Sequence, residues 1–531
     1  MKMTKQIIPA PILPRKGWHT LPLIEWALGT VFPSAWNPFH HLGALTILLF
    51  WVVLVSGVYE LVFFETSVRG AFASVESLTH DQWWLGGVMR SLHRYASDAA
   101  VLTMMLHLLR ELIRGHFRGF RWFSWLSGIP LVWLVIPFGI TGYWMVWDTL
   151  AQYVAISSSE LLDALPFFTD PMARNFLTDS SLSDRFFTLI AFIHIIGMPI
   201  FLLLGIWFHL LRIVQPKVNP PAKLAIGTLL TLLVLSLVKP ALSHAPAHLA
   251  VEPVKLQLDW FYLNLYPLLD QWQAGLVWGV LVVPTLLLAL LPWLPSKPPL
   301  PPAKVDLDQC SGCGRCFDDC PYSAVIMQPR SDARRHTLQA VVNTDLCAGC
   351  GICAGACPAS NPFRRGDPFA TGIDIPRFTM DQLRVDSLAA AKVLTGETRI
   401  LVYGCDHGAE VLRLKASGVA ALSLPCIGLL PPSSVEYLLH QRRVDGVLIT
   451  GCGAGDCEYR LGNVWTEQRL SGQREPHLRA RVDRERVRTY WGAAQERVEL
   501  DEELERFRAA LQMAKRPVAG VPDLAETGGH G

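Results

Sequence analysis

Residues 310–358 constrain the chain more than any other stretch. They read Cys310-Ser-Gly-Cys313-Gly-Arg-Cys316-Phe-Asp-Asp-Cys320-Pro321 and Cys347-Ala-Gly-Cys350-Gly-Ile-Cys353-Ala-Gly-Ala-Cys357-Pro358, two copies of Cys-x2-Cys-x2-Cys-x3-Cys-Pro. In such a run three closely spaced thiolates grip one iron-sulfur cubane and the fourth reaches another. Disulfides or a zinc ribbon fit less well, since zinc sites use two Cys-x2-Cys pairs rather than two four-cysteine runs. All twelve cysteines lie at or after Cys310. Clusters and free thiolates belong in a reducing compartment, so this part of the chain is expected in the cytoplasm.

The double motif resembles the bacterial ferredoxin with two [4Fe-4S] clusters. That resemblance implies crossed ligation, with Cys310, Cys313, Cys316 and Cys357 on one cluster and Cys347, Cys350, Cys353 and Cys320 on the other. It also implies a ferredoxin-like α+β iron-sulfur domain, expected over residues 305–365.

Before the cysteines the chain is apolar. The whole is 51% hydrophobic with a net charge of +2, which argues against a nucleic-acid partner. Six stretches are long enough to cross a bilayer of about 30 Å: 41–64, 84–113, 125–147, 186–213, 223–242 and 274–294. Arg110, Arg114, Arg118 and Arg121 follow the second; Arg212, Lys217 and Lys223 follow the fourth; Lys297 and Lys304 follow the sixth. By the positive-inside rule these segments face the cytoplasm, and the remaining loops face the opposite, P side. An even number of crossings also puts the cysteines in the cytoplasm. Met1–Lys16 has no apolar core, so no cleavable signal peptide is expected. The expectation is a multi-pass protein of the cytoplasmic membrane.

Histidines inside membrane helices are costly and usually functional. The second stretch carries His93 and His107, and the fourth carries His194 and His209. A spacing of fourteen covers about 21 Å and returns to nearly the same helix face, and fifteen does almost as well. Two helices with such pairs can hold two stacked haems, each ligated by two histidines. Gly43 and Gly57 on the first stretch, and Gly128 and Gly142 on the third, repeat the spacing of fourteen. Lacking side chains, they let a macrocycle edge approach the backbone.

Arg90-Ser-Leu-His93-Arg94, His107-Leu-Leu-Arg110 and Phe138-Gly-Ile-Thr-Gly-Tyr143 resemble cytochrome b of the bc and bf complexes. The first four stretches match that cytochrome and the last two its subunit IV. The resemblance implies two b-type haems, a P-side one on His93 and His194 and a cytoplasm-side one on His107 and His209. Arg94 and Arg110 are propionate candidates by charge. Two departures stand out. Where the family's quinol-oxidation site has Pro-Glu-Trp-Tyr, this chain reads Leu258-Asp259-Trp260-Phe261-Tyr262, and the Pro-Trp pair after the third helix is Val146-Trp147-Asp148. Bifurcated quinol oxidation with a Rieske partner is therefore not expected, while a quinone site at Asp148, Asp259 and Trp260 is, the two carboxylates being able to relay protons.

After the proline-rich segment 296–304, which reads as a stiff extended spacer, and the cluster region, the pattern turns α/β. Ile400-Leu-Val-Tyr403, Ala421-Leu-Ser-Leu424 and Val447-Leu-Ile-Thr450 read as buried strands of a parallel sheet. Each is followed at once by a cysteine, Cys405, Cys426 or Cys452, and Cys457 lies near, so four thiolates converge at one sheet edge. Arg479–Arg508 reads as exposed helices, and residues from Pro517 on as a disordered tail. Gly451-Cys452-Gly-Ala-Gly-Asp456-Cys457-Glu-Tyr459-Arg-Leu-Gly462-Asn463 resembles the delta subunit of methyl-viologen-reducing hydrogenase. That family holds a [2Fe-2S] cluster on such cysteines and exchanges electrons with a flavoprotein related to heterodisulfide reductase.

The expected organisation is thus multi-domain: an N-terminal segment to residue 40, a six-helix transmembrane bundle over 41–295, the linker, the ferredoxin domain, a connector over 366–397, a small α/β parallel-sheet domain over 398–513 and the tail. No nucleotide fingerprint is visible. The expected role is electron transfer in the membrane between a cytoplasmic flavoprotein or other dehydrogenase and the quinone pool, with quinone reduced. Quinol oxidation with electrons running inward, or a haem-bearing anchor without quinone chemistry, are the alternatives. A homodimer, as in cytochrome b complexes, is a further expectation.

Overall fold

In a computed structural model the described residues run from 27 to 515, except 30, 33, 167–176, 178–181, 254, 295–299, 333–335, 365–368, 415 and 494–495. Residues 296–299 of the proline-rich spacer, the extreme N-terminus and the tail from 516 on lie outside them. The chain forms two compact units, a helical one up to residue 298 and a cysteine-bearing one from residue 299.

The helical unit contains α1 (Leu42–Phe63), α2 (Gly70–His80), α3 (Val88–Ile113), α4 (Trp122–Val146), α5 (Thr149–Asp163), α6 (Asp184–Phe192), α7 (Met198–Leu210), α8 (Ala222–Val238) and α9 (Ala274–Leu290). Among the described residues four helical segments are long and apolar enough to cross a membrane: 42–63, 119–146, 184–210 and 274–293. The other two expected crossings are also helices. However, α3 carries Arg90, Arg94, Asp98, Arg110 and Glu111, which lower its hydropathy, and α8 has only 17 residues. The third crossing, α4, contains Pro130 and Pro137, tolerated where neighbouring groups satisfy the freed backbone. Large apolar side chains such as Trp51, Val58, Leu203, Trp207, Val234 and Leu287 point outward and are exposed. An apolar exterior of this extent suits lipid rather than water. Inside, Val101, Val135, Val154, Leu202, Tyr262 and Leu263 form a core joining α3, α4, α5, α7 and the loop before α9.

The second unit begins with β1 (Lys304–Val305), α10 (Arg315–Asp318), β2 (Val325–Pro329), β3 (Leu338–Val342), α11 (Ile352–Ala356), β4 (Ile373–Asp374) and α12 (Met380–Lys392). The strands β1 and β4 pair antiparallel, as do β2 and β3. Each cluster motif enters its short helix through a left-handed glycine, Gly314 at φ 80° and Gly351 at φ 83°, a conformation that a side chain would strain. Next come β5 (Ile400–Cys405), β6 (Val419–Leu424), α13 (Pro432–His440), β7 (Gly446–Gly451), α14 (Gly462–Ser471), β8 (Val487–Trp491) and α15 (Arg497–Lys515). The sheet order is β6-β5-β7-β8, with every pair parallel. Its central strands β5 and β7 are wholly buried, as continuous apolar strands of a two-sided parallel sheet must be. Leu500, Leu504, Phe507 and Leu511 of α15 cover one face. One expectation fails here: Arg479–Arg508 is not all helix, because Val487-Arg-Thr-Tyr-Trp491 pairs with β7 as a fourth strand. Its Thr, Tyr and Trp suit a pleated surface, and the flanking charges hide that signal.

Candidate functional site: histidine pairs and cysteine groups

His93 on α3 and His194 face each other with ring centroids 6.4 Å apart. Imidazole–metal bonds of about 2 Å let one metal ion bridge rings at such a separation. Their outer nitrogens are held by neighbouring helices. His93 Nδ1 lies 3.0 Å from Val53 O and 3.2 Å from Ser56 Oγ; His194 Nδ1 lies 3.0 Å from Phe138 O and 3.1 Å from Thr141 Oγ1. An imidazole whose Nδ1 is so engaged presents Nε2 to a metal, in a fixed orientation. At the other level His209 Nδ1 lies 3.1 Å from Ser127 Oγ, and His107 is within electrostatic range of His209.

The four glycines each meet one of these rings. A Cβ on Gly57 would sit 2.8 Å from His93 Cε1, on Gly142 2.9 Å from His194 Cε1, on Gly128 3.2 Å from His209 Cε1 and on Gly43 3.7 Å from His107 Cε1. Three of them share a local rule that the sequence reading missed: a hydroxyl one residue before the glycine, Ser56, Ser127 or Thr141, binds the histidine. Before Gly43 stands Leu42, so His107 has no such hydroxyl.

Fourteen residues separate His93 from His107, but fifteen separate His194 from His209. Between α6 and α7 the chain makes a single π turn, Ile193–Gly197, that includes His194. A π turn takes up an extra residue, so fifteen positions with the turn do the work of fourteen without it.

Asp259 lies in a second constellation. It is 8% exposed. Its carboxylate accepts from Arg94 Nη1 at 3.1 Å, from Tyr143 OH at 2.6 Å and from Phe261 N at 2.8 Å. The same Arg94 nitrogen donates to Asp98 at 2.9 Å. Tyr262 packs against Gly139, donates its hydroxyl to Ser97 O at 3.2 Å, and has its phenol pushed upward by burial. Asp98 and Tyr143 were missed as partners; a carboxylate four residues after an arginine on a membrane helix was the available signal. The other expected quinone-site residues stand elsewhere. Trp260 is 76% exposed, while Asp148 is the buried N-cap of α5, accepting from Ala151 N and His244 N, each at 2.8 Å. Arg94 is engaged by the two aspartates, and Arg110 is buried over Phe39, its guanidinium 5.6 Å from the ring centroid.

In the other unit, Cys316 has Cys357, Cys313 and Cys310 as its electrostatic neighbours, and Cys353 has Cys350, Cys320 and Cys347. At the sheet edge Cys405 Sγ and Cys452 Sγ are 3.4 Å apart, Cys452 and Cys457 are in contact, and Cys426 is next to Cys457. A Cβ on Gly462 would collide with Cys426 Sγ and touch Cys457 Sγ at 3.6 Å, so the glycine keeps this site open. Burial pushes the thiols of Cys350, Cys353 and Cys426 up, and Cys316 to about 12. Thiolates gathered in such a setting need metal charge to compensate them. Among the described residues no three ligating side chains close on a single-ion point. Clusters do not require that, because a cubane is bound with one thiolate per iron.

Comparison with known proteins follows the same division. Residues 28–216 match the family model "Cytochrome b/b6/petB", 309–361 match "4Fe-4S dicluster domain", and 402–514 match "Methyl-viologen-reducing hydrogenase, delta subunit". The chain is a fusion of three modules. The cytochrome b6 of Prochlorothrix hollandica is 28% identical over 189 residues, covering 36% of this chain and 85% of that relative. A chain of a hyperthermophilic respiratory Complex III aligns at a TM-score of 0.42 and 17% identity, covering 52% of this chain and 81% of that one. The fusion is a membrane protein with a cytochrome b-type helical module, a 4Fe-4S module and a parallel-sheet module.

Proposed function

We propose that this protein conducts electrons between a cytoplasmic flavoprotein and the quinone pool, reducing quinone at the Asp259 constellation. The reading rests on one observation above others: a single chain brings four histidines of the helical unit into two pairs, His93 facing His194 and His107 near His209, and twelve cysteines into three groups. When bound, two b-type haems, two [4Fe-4S] clusters and one [2Fe-2S] cluster supply the one-electron steps. The residues then have distinct tasks. His93 and His194 hold the P-side haem, and His107 and His209 the cytoplasm-side one, with Nδ1 contacts setting ring orientation. Gly43, Gly57, Gly128 and Gly142 give the macrocycle edges room. Arg110 is a propionate partner at the cytoplasmic level; Arg94 lends its charge to the P-side haem and to Asp259 together. Cys310, Cys313, Cys316 and Cys357 hold one cubane, Cys347, Cys350, Cys353 and Cys320 the second, and Cys405, Cys426, Cys452 and Cys457 the [2Fe-2S] cluster. Asp259 delivers a proton to a quinone oxygen, and Asp148 anchors the flanking helix. On this reading six crossings would leave the cysteine-bearing unit on the cytoplasmic side.

The test is to add a reduced low-potential donor to the purified protein and follow haem absorption. Haem reduction through the iron-sulfur centres is expected, followed by reoxidation with a quinone analogue. Haems that stay oxidised while the iron-sulfur centres reduce would leave a membrane anchor.

The π turn gives a second prediction. Deleting Ile196, which is 45% exposed, reduces the spacing between His194 and His209 to fourteen and lets α6 and α7 join as one regular helix. Haem content is expected to stay at the unmodified value by pyridine haemochrome assay; loss of half of it would show that the turn is needed for more than register.

A further inference from the structure

A buried guanidinium sits where the delta-subunit module meets the ferredoxin module. Arg469 on α14 is completely buried. Its Nη1 donates to Gly428 O at 2.8 Å, and its Nη2 donates to Asp319 Oδ2 and, at 3.3 Å, to Ile352 O. Each contact adjoins a cluster ligand. Asp319 immediately precedes Cys320, Ile352 lies between Cys350 and Cys353, and Gly428 is two residues after Cys426. Arg474 donates to the other Asp319 oxygen at 2.7 Å, so the buried carboxylate is satisfied from both sides. The backbones meet closely here: a Cβ on Gly355 would lie 2.8 Å from Leu429 O, and one on Gly428 would lie 2.8 Å from Ile352 Cγ1.

The cysteines at this seam belong to only two of the three groups. Cys426 has Cys350 among its electrostatic neighbours, and Tyr459 lies near both. Within the ferredoxin module, Cys353 has Cys316 in range. The thiols therefore form a sequence: Cys426, then the Cys350 group, then the Cys316 group.

We propose that the [2Fe-2S] site exchanges electrons with the cubane of Cys320, Cys347, Cys350 and Cys353, across the Cys426–Cys350 seam, and that Arg469 is the residue positioning that crossing. The cubane of Cys310, Cys313, Cys316 and Cys357 is then second in line. With the clusters bound, one electron would leave a reduced [2Fe-2S]⁺ cluster on Cys405, Cys426, Cys452 and Cys457, giving [2Fe-2S]²⁺, and would reduce a [4Fe-4S]²⁺ cluster on Cys320, Cys347, Cys350 and Cys353 to [4Fe-4S]⁺; no proton would move. The electron is supplied by a flavin-bearing donor, or by dithionite in the test. A fork with several donors can hold a carboxylate and two carbonyls together, whereas a lysine cannot span the same three acceptors. This inference rests on the cluster assignment made above.

The experiment is electron paramagnetic resonance of the dithionite-reduced full-length protein, measuring the half-saturation power of the [2Fe-2S] signal. A neighbouring reduced cubane speeds its relaxation. Cys313→Ser, at an exposed ligand of the remote cubane, is expected to leave that power within about twofold of the unmodified protein. A tenfold fall would reverse the order and overturn the proposal. Arg469→Lys is expected to lower the power at least fivefold with iron content unchanged; unchanged power would remove Arg469 from the positioning role. Eight non-haem irons per chain with no [2Fe-2S] signal would instead overturn the cluster assignment, and the crossing with it.

Discussion

His194→Ala is expected to halve the haem content of the purified protein, from two to one per chain by pyridine haemochrome assay. The ring is held by Phe138 O and Thr141 Oγ1 on one side and faces His93 on the other. Without it a haem bound between His93 and His194 would lose one of the two residues proposed to hold it, and the packing around Gly142 is left with a cavity that costs further stability. The pair at His107 and His209 lies on other turns of the same helices, so its haem spectrum is expected to persist. Gly142→Val acts in the same direction by the opposite means, because its Cβ would sit 2.9 Å from His194 Cε1 and the helix backbone cannot yield as a flexible side chain would. Retention of both haems in His194→Ala would refute the ligand assignment. Retention in Gly142→Val alone would show that the ring can move aside.

The cysteine motifs and the fourteen-residue repeats of histidine and glycine were readable because their chemistry fixes spacing along the chain. Cys310 to Cys320 forms a local motif, and a fourteen-residue repeat is a property of one helix. What escaped was set by partners distant in sequence. Asp319 looks like half of an ordinary acidic pair, since Arg469 is 150 residues away. The π turn at His194 left only an odd spacing as its trace, because Ile193-His-Ile-Ile-Gly197 reads as regular helix. The strand β8 was masked by the arginines around it. Asp148 and Asp259 looked equivalent as loop carboxylates near helix ends. Capping separates them: Asp148 is consumed by backbone donors, whereas Asp259 draws side chains from two helices, Arg94 from α3 and Tyr143 from α4.

That difference determines the second large effect. Asp259→Asn is expected to slow quinone turnover by about 10²–10⁴-fold, the usual contribution of a positioned proton-transfer group, while dithionite reduction of the haems is unchanged. The amide can still accept through its oxygen from Tyr143 or Phe261, so the fold is preserved, but it cannot take up and return a proton. Arg94 keeps Asp98 as its partner at 2.9 Å, so its charge is not left unpaired in the bundle, which would itself cost several kcal/mol. Tyr143→Phe removes the 2.6 Å hydrogen bond to Asp259 but leaves the proton carrier in place, and a smaller loss, about 10-fold or less, is expected. The two variants separate proton delivery from orientation. Were Tyr143→Phe to cost more than Asp259→Asn, the phenol would be the proton-transfer group; were neither to slow turnover, the quinone would react elsewhere in the protein.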